Sequence, residues 1–265
     1  MSLSAFVDGI GVLGPGLADW PEAAGCLRGR SPYVPAATVL PPPSILPAAE
    51  RRRTGRVVQL ALAVAVEATG RAGIEPGDAA SVFSSSGGDG RNCHEICAAL
   101  AAPDREVSPT RFTNSVHNAS SGYWSIAAGA TAPSNVLCAF DASFSAGLLE
   151  AMVQASLGSR PVLLVAYDGD YPEPLRAKRP IPDTFGVALV LSANRGARSI
   201  ARIEANIAAE PADTLADPRL EALRAAVPAA RALPLLRALA ARVPGRVSLD
   251  YLDDTRLIVN LAPCV

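Results

Sequence analysis

Apolar residues recur along the chain with two spacings, one typical of helices and one of strands. From Glu50 onwards, the apolar side chains of Val57, Leu60 and Val64 follow one another at steps of three or four positions. This spacing predicts an amphipathic helix that opens at Glu50 and ends at Gly73. A proline-rich stretch at 30–47 supports neither a helix nor a central strand, so a surface loop is predicted there.

Short apolar runs bounded by glycine, proline or polar residues predict strands. These runs are 6–13, 80–85, 135–140, 161–167 and 186–193. A further helix is predicted at 142–157, where Glu150 is the only charged residue. A helix of such low polarity is expected to lie between two layers of the protein.

The order of these elements predicts the fold class. Strands and helices alternate through residues 1–195, which is typical of an α/β fold. We expect a mixed, mostly parallel sheet of five strands with helices on both faces. The pattern after residue 195 predicts a strand, a helical stretch broken by prolines and a β-hairpin, at 200–206, 215–243 and 247–261. The expected domains are therefore 1–195 and a C-terminal extension, 196–265, that packs on the first.

Composition narrows the classes of function. The chain has 265 residues and 27.3 kDa, with 24 basic against 25 acidic side chains, so no nucleic acid or membrane surface is expected as a partner. No apolar run reaches the length of a membrane span, and no secretory signal is visible at the N-terminus. Five cysteines without paired spacing indicate a reducing compartment. We expect a cytoplasmic globular protein.

Two local motifs have a plain structural interpretation. The glycine-rich segment 84–90 lacks the spacing of known phosphate-binding loops, so a tight turn from strand to helix is predicted. The segment 93–97 carries Cys93, His94 and Cys97, but no second ligand pair lies near it in sequence. We therefore expect two buried thiols on a helix, and neither a metal nor a cofactor.

Polar and small residues cluster in two stretches, 109–124 and 132–151, which carry the strongest chemical signal. In the second stretch a strand ends at Phe140 and a helix of small residues begins after Asp141. Position 141 therefore meets the free N–H groups and the positive end of the helix dipole. A cysteine there would be a good nucleophile, and a carboxylate is equally well placed as an N-cap.

These stretches, together with the opening segment 7–13, resemble the N-terminal half of β-ketoacyl synthases of the thiolase fold. In that family a strand leads from a Gly-Pro-Ser-like turn to an acylatable cysteine at the start of a buried helix. Counted from the Ala-Pro-Ser sequence at 132–134, Asp141 holds the position of that nucleophile. The resemblance covers residues 1–195 and implies a thiolase-like half-fold.

Two departures from the family pattern imply a chain without catalytic residues of its own. An aspartate at position 141 cannot accept an acyl group as a thioester. The C-terminal half of a synthase supplies two catalytic histidines, whereas no histidine follows His117 in this sequence. Cys138 is a rival nucleophile, but its place in an apolar strand predicts a buried, unreactive thiol.

The aspartate at 141 and the short length resemble the chain length factors of type II polyketide clusters, in particular the aryl-polyene and xanthomonadin type. Such a subunit pairs with a full-length β-ketoacyl-ACP synthase and meets the acyl carrier protein only indirectly. Synthases pair through the strand before the nucleophile, here 135–140. The resemblance implies an acyl tunnel at this junction, and we expect it to be lined by Ser115, His117, Asn118, Phe140, Asp141 and Phe144.

Other functions stay open at this point. The chain could be a stand-alone acyl-processing enzyme that uses Asp141 or Cys138, or a homodimer or binding module without a synthase partner. Asp141 could be only an N-cap, worth about 1 kcal/mol, and His117 only a loop residue with a local hydrogen bond. The three arginines at 51–53 could meet an acidic carrier protein, although a solvated helix start is favoured.

Overall fold

Eight strands form one mixed sheet in the computed structural model, which describes residues 3–264. The strands are β1 (Leu3–Leu13), β2 (Ala80–Ser84), β3 (Ser134–Leu137), β4 (Val162–Asp168), β5 (Phe185–Ser192), β6 (Ala201–Ala208), β7 (Gly245–Asp250) and β8 (Arg256–Pro263). Across the sheet their order is β3-β2-β4-β5-β1-β6-β8-β7. The predicted five strands are all present, and the count of five is wrong because β6, β7 and β8 join the same sheet.

Helices connect and cover these strands. They are α1 (Trp20–Leu27), α2 (Ala48–Arg51), α3 (Arg56–Ala72), α4 (Gly90–Ala101), α5 (Pro109–Thr113), α6 (Ala119–Ala128), α7 (Ser143–Leu157), α8 (Leu175–Lys178), α9 (Pro218–Ala226) and α10 (Leu233–Ala241). The helix predicted from Glu50 is split into α2 and α3, because Gly55 is extended and serves as the N-cap of α3. Within residues 3–264, no helix has the length and hydropathy needed to cross a membrane.

The direction of the strands differs from the prediction. Among the described strands, the only two parallel pairs are those of β2 with β3 and of β2 with β4. The remaining neighbours, from β4 through to β7, pair antiparallel. A parallel pair needs a crossover connection, and the connections from β4 to β5 and from β7 to β8 reverse the chain without one. The expectation of a mostly parallel sheet is therefore wrong.

The sheet separates two buried apolar layers, because neighbouring residues of a strand point to opposite faces. In β2, Val82 faces the layer that holds α1, α7 and α10, whereas Phe83 faces α3 and α6. In β4, Leu164 faces the first of these layers and Leu163 faces the second. The predicted α/β class with helices on both faces is confirmed.

Helix α3 lies directly on the central strand β1. A Cβ atom at Gly9 would stand 2.1 Å from the Ala68 carbonyl oxygen, and one at Gly11 would stand 2.1 Å from that of Val64. Only glycine permits this approach, since real Cβ atoms do not come so close to backbone. The glycines of the opening segment 7–13 are thus explained by helix packing.

Helix α7 covers the opposite face, next to the 3-10 turn Pro228–Ala232. Its residues Phe144, Leu148 and Met152 are buried, whereas Leu157 at its end is 76% exposed. The helix is therefore covered on two sides along most of its length, and its last turn reaches the surface.

The residues after 195 continue the sheet. Strand β6 pairs antiparallel with Leu3–Val7 of β1, and β8 and β7 follow it outwards. The predicted hairpin is confirmed, with Asp253 of its turn at a φ of 48°. Because the sheet runs across residue 195, the two parts share one structure, and their division into two domains stays a prediction.

Strand β3 corrects a further expectation. It has four residues instead of six, and its side chains are exposed or half-buried. An apolar run has the same composition in a buried strand and at an edge, so the sequence alone did not distinguish the two. As a result Cys138 lies outside the strand and is exposed, so the prediction of a buried thiol is wrong.

Candidate functional site

The candidate site lies where β3 ends, at one edge of the sheet. Among the described strands β3 pairs only with β2, through Ser134–Leu137, and its outer side has no strand beside it. After Leu137 the chain makes a 3-10 turn, Phe140–Ala142, before α7 begins at Ser143. The residues of this turn are therefore placed at the end of an uncovered edge strand.

The turn holds an unusual backbone conformation. Phe140 has a φ of 51°, and its side chain is 59% exposed. A bulky residue seldom adopts a positive φ, so the surroundings must hold it. The Ser143 hydroxyl does part of this, because it donates to the Phe140 carbonyl oxygen at 2.7 Å and accepts from the Ala139 N–H at 3.0 Å.

Two arginines hold the carboxylate of Asp141. The Nη2 atom of Arg179 lies 2.6 Å from Asp141 Oδ1, and the Nη2 atom of Arg231 lies 3.0 Å from Asp141 Oδ2. Arg179 also lies over the Phe140 ring, with 3.8 Å between the guanidinium carbon and the ring centroid. We call Arg179 and Arg231 the arginine clamp. It neutralises the carboxylate with charge-assisted bonds.

The prediction of Asp141 as a helix N-cap is wrong. Ala142 is the N-cap of α7, and no side-chain cap bond is formed there. The physical reason is the 3-10 turn, which places Asp141 before the cap, and its carboxylate binds the arginine clamp instead.

The arginine clamp was not predicted from the sequence. Arg179 follows α8 and Arg231 lies in the turn Pro228–Ala232, so they are 38 and 90 positions away from Asp141. No local spacing relates three such residues. Only the fold brings them together.

The glycine-rich segment 84–90 adjoins the same region and forms the predicted turn from β2 to α4. Asp168, at the end of β4, binds this turn by accepting from the Ser86 N–H at 2.8 Å and the Ser86 hydroxyl at 2.6 Å. Its other oxygen accepts from the Ala229 N–H at 2.8 Å. Burial raises the pKa of Asp168 to about 6, although these hydrogen bonds favour the charged form.

The six predicted lining residues fall into two segments and one core position. Ser115, His117 and Asn118 are exposed between α5 and α6, and His117 Cδ2 lies 3.7 Å from where a Cβ of Gly88 would be. Cys138, which precedes the second segment, also contacts this turn, because its thiol donates to the Ser86 carbonyl oxygen at 3.2 Å. Both segments therefore border the turn 84–90.

The remaining three lining residues are consecutive in the chain or nearly so. Phe140 is exposed and Asp141 is partly exposed, whereas Phe144 is only 1% exposed and lies in the core. Phe144 therefore stands behind the surface that the other residues reach. Its role as a lining residue stays a prediction, as do those of the other five.

The other cysteines do not form a ligand cluster. Cys93 and Cys97 are exposed, so the prediction that they are buried is wrong, because α4 buries only Gly90 and Asn92. Within residues 3–264 no group of three or more His, Cys, Asp or Glu side chains is placed to hold a metal ion.

A depression of about 370 Å³ lies near the three arginines at 51–53, apart from the turn at Phe140. It is lined by five arginines, Arg52, Arg53, Arg56, Arg91 and Arg111. Acidic neighbours offset part of this charge, as in the pair of Arg91 Nη2 with Asp170 Oδ2 at 2.8 Å. The depression thus presents a positively charged surface that is partly neutralised.

Comparison with known proteins relates this geometry to a family. The family model described as the N-terminal domain of β-ketoacyl synthases matches residues 27–242, more than half of the chain and beyond residue 195. No curated protein matches the sequence.

Solved structures share the fold. The ketosynthase in complex with its chain length factor from Xenorhabdus doucetiae is 23% identical, with a TM-score of 0.74 and coverage of 97% of this chain and 99% of that chain. The ishigamide ketosynthase/chain length factor is 14% identical, with a TM-score of 0.73 and coverage of 99% and 100%. A structure of a type II PKS acyl-carrier protein in complex with its ketosynthase bound to the hexaketide is 11% identical, with a TM-score of 0.75 and coverage of 100% of both chains. The thiolase-like fold is confirmed.

Proposed function

This chain belongs to the family of β-ketoacyl synthase N-terminal domains, and from that premise we propose that it is a non-catalytic chain length factor. Its partner would be a full-length β-ketoacyl-ACP synthase, with which it forms a heterodimer. The acyl carrier protein would bring intermediates of a type II polyketide, aryl-polyene or fatty-acid-like pathway to that synthase. The chain itself would shape the acyl tunnel at the interface.

The uncovered edge strand β3 carries this proposal. Its backbone groups can be satisfied by a strand from another chain, and an edge left open is an aggregation hazard. Large apolar side chains are exposed at the end of β3, where Phe140 is 59% exposed, and in the segment 109–118 beside the turn 84–90, where Phe112 is 70% and Val116 is 52% exposed. Exposed apolar side chains beside an open edge favour a protein partner over solvent.

The state of Asp141 supports a non-catalytic role. Its carboxylate binds two guanidinium groups, which lowers the electron density available for attack on an acyl group. The sequence contains only His94 and His117, and no histidine follows the second. A synthase reaction would therefore depend on residues of the partner.

A stand-alone acyl-processing enzyme is the second candidate, because Cys138 is exposed and adjoins the turn 84–90. Within the part of the chain that the structure describes, its thiol is bound to a backbone carbonyl oxygen, and not to a histidine or another base that could activate it as a nucleophile. Chain length control is therefore the better-supported function.

Co-expression with a full-length synthase encoded in the same gene cluster tests the proposal. We expect a one-to-one complex in size-exclusion chromatography with mass determination by light scattering. Separate peaks at the subunit or homodimer mass would reject the heterodimer. Incubation with acyl carrier protein thioesters, followed by intact mass spectrometry, addresses the second candidate, since an acyl adduct on this chain that Cys138→Ala abolishes would establish it.

A further inference from the structure

The C-terminal segment after residue 195 contacts the turn at Phe140 through charged groups. Arg231 binds Asp141, and its Nη1 atom lies 3.7 Å from Asp250 Oδ2. Arg224 in turn binds Asp250 Oδ2 at 2.7 Å. The Ser145 hydroxyl of α7 donates to the Asp250 carbonyl oxygen at 2.6 Å. The turn and the start of α7 are thus attached to the C-terminal segment at two points.

The geometry of the arginine clamp is that of a carboxylate receptor. Each arginine binds a different oxygen of Asp141, and the arginines come from two separate parts of the chain. Within the described residues, the Nε atoms of Arg179 and Arg231 are buried without a hydrogen-bond partner. The Asp141 carboxylate lies within 3.0 Å of both guanidinium groups, and its side chain is 36% exposed, so small solutes can reach it.

The arginine clamp also fixes the aromatic ring beside it. Arg179 stacks on Phe140 while it binds Asp141, so that the ring and the carboxylate are held by one guanidinium group. A positive φ at an aromatic residue costs energy and persists only where several contacts enforce it. Loss of the carboxylate would release both the arginine and the ring.

We propose that Arg179 and Arg231 form a binding site for a small carboxylate, which Asp141 occupies from within the chain. Through Arg231, the C-terminal segment acts as the brace that positions Phe140 at the open β3 edge. The first part stands on the geometry alone. The second part rests on the proposed function, because Phe140 would there limit the partner's acyl tunnel.

Chemical rescue tests the receptor on this chain alone. In Asp141→Ala the lost group has the size of formate, so sodium formate should raise the Tm of this variant above its value in sodium chloride at equal ionic strength. The wild-type protein should show no such gain, because its site is filled. The double variant Asp141→Ala with Arg231→Gln should show no rise in Tm with formate, since one of the two guanidinium groups that bind the carboxylate is missing.

Two results would overturn the receptor. One is a formate effect on Asp141→Ala that is no larger than the effect on the wild type. The other concerns Asp141→Asn, which keeps the shape of the side chain and serves if Asp141→Ala does not fold. This variant should melt below the wild type and gain nothing from formate, and an unchanged Tm would contradict the proposal.

Product length tests the positioning role in the complex with the synthase. Arg231→Gln should widen the distribution of product lengths toward longer chains, and Arg231→Lys, which keeps the charge, should shift it less. Asp170→Ala is the matched control, since it removes a carboxylate bound by Arg91 and Arg56 elsewhere. An unchanged product distribution in an intact Arg231→Gln complex rejects the positioning role. Absence of any complex with the wild-type chain would instead reject the proposed function, and the formate result would stand.

Discussion

The two edges of the sheet differ in how the chain covers them. Beside β7, the Asp213 N–H donates to the Ser248 carbonyl oxygen at 2.8 Å, and the Ser248 N–H donates to the Asp213 carboxylate at 3.1 Å. Arg246 of the same strand binds both oxygens of Glu210, at 2.6 and 2.7 Å. The loop after β6 therefore satisfies the outer backbone of β7 and places paired charges along it, as proteins do where a sheet must end.

The β3 edge has none of these protections among the described residues. Its first two residues, Ser134 and Asn135, are exposed, and the turn beyond them presents Phe140 to solvent. The comparison indicates that β7 is built to end the sheet, whereas β3 is left open, as the proposed pairing with another chain requires. Loop cover and paired charges distinguish the two edges, whereas exposed apolar side chains also flank β7, at Val243 and Leu252.

The largest effect is expected from charge on the apolar surface around β3. Phe112→Glu and Val116→Glu each place a carboxylate on an exposed apolar position. If this surface is the interface, each change should weaken the heterodimer at least about 100-fold, or roughly 3 kcal/mol, because a charge would be buried without a partner. Titration of the two subunits by light scattering or calorimetry measures it.

Val39→Glu is the matched control for this prediction. Val39 is 81% exposed in the proline-rich loop, so the same change is made at a similar residue away from β3. Its affinity for the synthase should equal that of the wild type. Equal affinities for all three variants would place the interface elsewhere.

A second effect concerns Asp168, which ties the turn near β3 to Ala229 in the C-terminal segment. Burial raises its folded-state pKa from 3.8 to about 6. The protonated form is therefore favoured in the folded state, and its contribution to stability is complete below pH about 4 and lost as the pH rises through about 6. The loss should be on the order of 3 kcal/mol.

Urea unfolding of the wild type and of Asp168→Asn at several pH values measures this contribution. The free energy of unfolding of the wild type, relative to that of the variant, should fall from pH 4 to pH 7 over the range set by a pKa of about 6. A difference that stays constant with pH would show that Asp168 titrates alike in both states. The hydrogen bonds between Ser248 of β7 and Asp213 should be the same in Asp168→Asn as in the wild type.

The smallest effect is expected from removing the cover of β7. Asp213→Ala leaves the Ser248 N–H without its carboxylate acceptor and should cost about 1 kcal/mol of stability. The isolated chain should also self-associate more at high concentration, whereas its affinity for the synthase should not change. Asp213→Asn keeps an acceptor and should lie near the wild type. A weakened heterodimer in Asp213→Ala would contradict the distinction between the two edges.

Much of the fold could be predicted because it is encoded locally. The spacing of Val57, Leu60 and Val64 predicted α3, and the alternation of strands and helices predicted the α/β class. Local pattern does not specify pairing direction between strands that are distant in sequence, so the antiparallel pairs of β5 with β4 and β1 were missed, whereas the hairpin of β7 and β8 was predicted. The exposure of the β3 side chains was missed for the same reason, although the family resemblance implied that a partner pairs with this strand at a sheet edge.

The site was predicted only in outline. The position of Asp141 between a strand and a helix followed from the order of residues. The arginine clamp did not, because Arg179 and Arg231 are far from Asp141 in sequence and are brought to it by the loop after β4 and by the C-terminal segment. The exposure of Cys138 likewise depends on where β3 stops.

The sequence by itself determined most helices, the order of the elements and the place of Asp141 between a strand and a helix, because these depend on neighbours a few residues apart. The tertiary structure alone decided that Asp141 is bound by two arginines, that β7 is covered and that β3 is open. Contacts of this kind join distant parts of the chain. Their geometry follows from the packing of the whole sheet and is not written in any local pattern.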